Sequence, residues 1–165
     1  MRDIESKIIF TFLVLFFAFL PPTFINAAED NLIIKNEAIN PGSLYYSFKR
    51  LWEKASLKMQ FGDQAKVSYL ESLLKTRLAE LNYVVENKLL SEVQTSSERF
   101  AYQAGILIDK IDKQDTKEKT SLIQRFENYS KYLEKLRDKF EANTSFWMLI
   151  QHDINTLKIL ADQIK

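Results

Sequence analysis

Pro41 is the last proline of a 165-residue chain, and beyond it glycine occurs only at Gly42, Gly62 and Gly105. A stretch of that length with almost no breakers, rich in Leu, Lys, Glu, Ala and Gln, favours long helices. It also lacks the glycine and proline that punctuate a chain of short strands and tight turns. The apolar spacing agrees. Val67, Leu70, Leu74, Leu78, Leu81 and Val85 recur at steps of three or four, as do Val93, Phe100, Ala104, Leu107 and Ile111. Leu122, Phe126, Tyr129, Leu133, Leu136 and Phe140 form a third series, and Ile150, Ile154, Leu157, Ala161 and Ile164 a fourth. Each series lays one apolar stripe along one helix face, and no comparable alternation of period two occurs. The expected fold is all-α: a bundle of four longer helices plus a short N-terminal helix.

Chemical markers suggest the boundaries. Ser43, after Pro41-Gly42, can cap a first helix, and Gly62-Asp63 can end it and cap the next. Ser91 with Gln94 reads as a capping box, and Asp115 with Glu118 resembles one. The polar run Asp109 to Lys119 is a loop candidate, and Asn143-Thr144-Ser145 opens the last helix. Between Asn87 and Thr95 there is neither glycine nor proline, so one long helix over 63–112 competes with two. Folding back is favoured, because a folded pair buries both stripes against each other.

The first residues point across a membrane. Ile8 to Leu20 is an uncharged apolar run closed by Pro21-Pro22, and Ala27 and Ala28 offer small residues for signal peptidase. Residues 1–28 are read as a signal peptide and residues 29–42 as an extended tether, leaving 43–165 as one helical-bundle domain. Asp3 and Glu5 cancel Arg2 and Lys7, however, and counting to Ile25 gives a stretch long enough to remain as an anchor over residues 8–25. Both outcomes place the domain outside the cytoplasm: periplasmic, cell-surface or secreted.

Composition excludes several chemistries. The chain has no cysteine, which removes disulfides, thiolate metal sites, thiol catalysis and lipoprotein attachment. A disulfide-free exported domain mildly favours a bacterial source. The net charge of +1 leaves no footprint for nucleic acid. His152 is the sole histidine, so zinc, di-iron and Ser-His arrangements lack their ligands or base. Met148 and His152 share one helix side and could not span both faces of a haem. Asp109, Asp112 and Asp115 lack the spacing and glycine of a calcium loop. No cofactor, metal site, catalytic residue or enzyme activity is expected.

The stretch Pro41-Gly42-Ser43-Leu44-Tyr45-Tyr46-Ser47-Phe48-Lys49-Arg50-Leu51-Trp52-Glu53-Lys54 is similar to the opening of a bacterial domain family of unknown function. In that family the pattern is Pro-Gly-Ser-x-Leu-Tyr…Lys-Arg-x-x-Glu, and the likeness runs over about residues 41–90. The resemblance implies an exported or membrane-anchored helical protein and supplies no catalytic residues.

On the residues alone, Leu44, Phe48, Leu51 and Ala55 share one face of this helix, broadened by Tyr45 and Trp52. The first expectation is that this aromatic face packs across the bundle end and closes the core. Two alternatives stay open: an amphipathic basic helix resting on a membrane or polyanionic wall polymer, and a docking surface for a protein. The residues for such a surface are Tyr45, Lys49, Arg50, Trp52 and Lys54. Tyr83, Tyr102, Tyr132, Phe146 and Trp147 either widen the core or line a groove for an amphipathic peptide or apolar ligand. The expected function is a non-catalytic interaction or scaffold module of the bacterial envelope, its partner an envelope protein or the membrane surface. The alternative is a periplasmic-chaperone-like or apolar-ligand-binding bundle with an aromatic groove.

Overall fold

The computed structural model describes residues 34–35, 37–111 and 116–165, and the predicted leader lies outside these residues. Five helices follow in order: α1 (Tyr46–Lys58), α2 (Asp63–Glu86), α3 (Leu90–Ile111), α4 (Thr116–Arg137) and α5 (Ser145–Asp162). The fold is the expected one, a short helix followed by four longer ones. α2 packs on α3, α4 on α5, and α3 on α5, with a lighter contact between α2 and α4 closing the bundle.

All four stripes face inward. Leu78, Leu81, Val93, Phe100, Leu107, Leu133, Ile150, Ile154 and Leu157 lose all their exposure, so the core runs continuously through all four longer helices. Hydrophobic burial on this scale, worth roughly 1.5–3 kcal/mol for each large side chain, sets the arrangement of the bundle. Among the described residues no helix is long and apolar enough to cross a membrane.

The break between α2 and α3 is real, and neither glycine nor proline makes it. The Leu89 N–H donates to the Val84 carbonyl at 2.8 Å and the Lys88 N–H to the Val85 carbonyl at 3.2 Å. This is the Schellman pattern, which closes a helix by turning one residue left-handed. That residue is Lys88, at φ 55°, and Leu89 packs on the core just after it. A side chain with a Cβ is disfavoured in this conformation by about 1 kcal/mol or more. Lys88→Gly is therefore expected to stabilise the fold by about 1 kcal/mol, read as a higher urea midpoint at unchanged slope.

Three capping expectations shift. α3 begins at Leu90, so Ser91 is already inside the helix and Gln94 donates instead to Glu98 at 2.9 Å. The tight turn at Lys88 starts the helix before the capping box can. Asp63 is the first helical residue of α2 rather than its cap, a position filled by Gly62 at φ 88°. Ser43 accepts the Tyr45 N–H at 3.3 Å one turn ahead of α1, whose own first residue is Tyr46. At α5 the expectation holds: Thr144 caps the helix by accepting the Trp147 N–H at 3.5 Å. Asp112 and Asp115 lie outside the described residues.

The main correction concerns α1. Its apolar face does not close the core. Leu44 is 97 % exposed, Phe48 69 % and Leu51 64 %, and Ala55 is exposed with them. The helix has turned its polar side to the bundle.

Candidate functional site

On a helix, positions spaced by three, four and four lie along one line. In α1 that line is Tyr46, Lys49, Glu53 and Leu57, three polar residues and one leucine. They meet a second inward line on α2, namely Leu73, Arg77, Glu80 and Val84, all buried. The period is that of a core stripe, with an ion pair set into its middle.

Arg77 is 1 % exposed, and so is Glu80. The guanidinium bonds Glu80 through Nη1 and Glu53 through Nη2, and Nη1 also donates to the Tyr46 hydroxyl at 3.2 Å. That hydroxyl donates in turn to Glu80 Oε2 at 2.7 Å. Lys49 takes the other oxygen, Glu80 Oε1, at 2.8 Å, and reaches Glu37 Oε2 at 3.0 Å and the Ile39 carbonyl at 3.1 Å. Arg50 bonds Glu53 Oε2 at 3.1 Å. From α3, Arg99 stacks its guanidinium 5.0 Å from the Tyr46 ring centre. The cluster thus ties α1 and the segment before it to α2 and α3.

Its electrostatics suit holding rather than proton transfer. Burial pushes the Glu80 carboxyl up, but Arg77 and Lys49 beside it more than offset that, and it ends below the usual carboxylate range. Burial lowers the Arg77 guanidinium, and Glu80 and Glu53 raise it further. Burial, with Glu80 next to it, pushes the Tyr46 hydroxyl up to about 12. Near neutral pH Glu80 is therefore ionised, Arg77 charged and the Tyr46 phenol intact.

The anticipated surface divides between the two sides of α1. Tyr45, Trp52 and Lys54 point outward and are exposed. Lys49 and Arg50 belong to the cluster, Lys49 with only 14 % of its side chain accessible. Met59 and the 91 %-exposed Phe61 extend the outward apolar side beyond the helix end. Tyr46, Glu53, Arg77, Glu80 and Arg99 were not anticipated. The signal for them was the helical spacing of Arg77 and Glu80 between Leu73 and Val84.

The five unassigned aromatics do not converge. Tyr132 donates to Asn82 Oδ1 at 2.8 Å. Phe146 packs on Phe140 with ring centres 5.4 Å apart, and Trp147 lies 5.2 Å from the Arg137 guanidinium. Tyr102 is exposed on α3. Tyr83 joins Leu89 and the Ala38–Ser43 turn around a cleft of about 320 Å³, at the small end for a ligand site.

A second polar group sits deep in the bundle. Asp153 on α5 has no exposed surface. Burial pushes its carboxyl up to about 8, an effect that nearby Ser97 on α3 only tempers. Neither carboxylate oxygen reaches full hydrogen-bond geometry with a partner. Adjacent His152 is exposed. Among the described residues, no three His, Cys, Asp or Glu side chains are grouped as a metal site.

Searches of curated proteins and of solved structures gave no match. A family description does match, and it runs well past the opening motif, through α1, α2, α3 and α4 to the residue that caps α5. With residues 38–144 matched, the chain belongs to the family described as domain of unknown function DUF5667.

Proposed function

We propose that this protein is a non-catalytic interaction module of the bacterial envelope, working outside the cytoplasm and presenting α1 to a partner. One observation carries the reading: α1 is fastened by its charged side, so its apolar side is held outward. Leu44, Tyr45, Phe48, Leu51, Trp52, Met59 and Phe61 are all exposed and neighbour one another along the helix and its ends. Contiguous apolar surface of this kind marks interaction sites in soluble domains. A helix whose orientation is set by buried ion pairs cannot roll to hide it without unpairing those charges. The apolar run Ile8 to Leu20 supports export of the domain.

The test of location is a pair of fusions after Lys165 of the full chain. An alkaline phosphatase fusion, active only outside the cytoplasm, is expected to be active, and a β-galactosidase fusion inactive. The reverse pattern would overturn the envelope reading.

A further inference from the structure

We propose that the outward side of α1 is a lipid-binding surface that lies in the headgroup region of an anionic bilayer. This deepens the envelope reading and rests on it, naming the partner of the same helix. Leu44, Phe48, Leu51, Ala55 and Met59 follow one line along the exposed side. Tyr45 and Trp52 flank that line on one edge, and the exposed Lys54 and Lys58 flank it on the other. Leucine and phenylalanine at the centre, tyrosine and tryptophan at one rim and lysines at the other is the layout of an interfacial helix. The rings sit at headgroup depth, and the lysine stems lie along the acyl boundary with their charges in water.

Charge selects the partner. Between Leu44 and Phe61 the one acidic residue is Glu53, and it is turned inward against Arg77 and Arg50. The exposed side therefore carries positive charge only, which complements anionic headgroups. A second copy of this chain would bring the same lysines face to face, a repulsive pairing. A bound peptide would need walls on either side of it. This side of α1 instead points away from α2, the helix it packs on, and is open to solvent. A broad, soft, negatively charged surface fits both shape and charge.

The experiment uses the full chain carrying Trp147→Phe, so that emission reports Trp52 alone. It is mixed with vesicles of about 3:1 phosphatidylcholine to phosphatidylglycerol, with and without brominated acyl chains. Trp52 emission is expected to shift to the blue and to lose most of its intensity to the brominated lipid. Adding Phe48→Ser and Leu51→Ser should abolish both effects while the helical circular dichroism and melting stay unchanged, since both positions are exposed. Lys54→Glu with Lys58→Glu should weaken the response to anionic vesicles roughly tenfold or more.

Trp52 emission that is unshifted and unquenched on these vesicles would overturn the proposal. So would Trp52 shielding that appears without lipid and grows with protein concentration, which would put a second copy on this side. An active phosphatase fusion combined with unquenched Trp52 would defeat the lipid assignment alone. An inactive one would defeat the envelope reading whatever Trp52 does.

Discussion

Arg77→Met is expected to destabilise the protein by about 3–5 kcal/mol, a large part of the 5–15 kcal/mol that keeps a typical domain folded. Methionine fills much of the space but leaves both Glu80 and Glu53 without their closest cation. Glu80 is almost wholly inaccessible, so water cannot take over. The loss comes from two stranded acids more than from the pair's own attraction, and that account has a direct check. Adding Glu53→Gln and Glu80→Gln to Arg77→Met should restore most of the lost stability, because the acids left behind are then neutral. Urea unfolding of the single and triple variants measures both values. Equal instability in the two would refute the explanation. The single variant should also be cut faster by protease at the exposed Phe61–Gly62 junction, because α1 loses its clamp.

Acidification from pH 8 toward pH 4 is expected to stabilise the fold through Asp153. Its folded carboxyl titrates at about 8, whereas in the unfolded chain an aspartate titrates near 3.9. Between those values the unfolded state has released a proton that the folded state keeps. Each pH unit of rise then removes about 1.4 kcal/mol, or about 4 kcal/mol between pH 4 and pH 7. The contribution is fully present below the unfolded value and is lost as pH climbs through the folded one. Glu80 acts with the opposite sign. Its depressed carboxyl adds stability above the usual glutamate range, and that is lost as pH falls toward its folded value. Together the two groups place the optimum in mild acid. Asp153→Asn should remove most of the slope above pH 4, leaving the smaller part that comes from the partly buried, raised Glu71 carboxyl, and make the protein more stable than the wild type at pH 8. Thermal melts of both proteins at pH 4, 6 and 8 decide the matter. A parallel slope in the asparagine variant would exclude Asp153 as its source.

The four stripes were legible because leucine, isoleucine and phenylalanine at a helical period have one way to leave water, and the structure buries them together. The fold-back near Asn87 was legible only through that same argument. Its local device, a left-handed lysine, is a choice glycine would have advertised. α1 was misread for a related reason. Reading hydrophobicity as inwardness works where apolar residues have no rival for the interior. Here Tyr46, Lys49 and Glu53 find complementary charges on α2 that Phe48 and Leu51 do not. Such a pairing depends on residues more than twenty positions away, so no local pattern announces it. Arg77 and Glu80 could have been suspected, since they fall in register with Leu73 and Val84. Asp153 lies between Ile150 and Ile154 with nothing in the local pattern to suggest that it would be sealed in without a charged side chain facing it.

Placing the fastening and the display on opposite sides of one short helix separates two demands that usually compete. Residues such as Phe48, Leu51 and Lys54 can change identity without disturbing the ions beneath them, and those ions can stay constant whatever lies outside. A helix held this way can vary its outward side at little risk to the folding of the bundle.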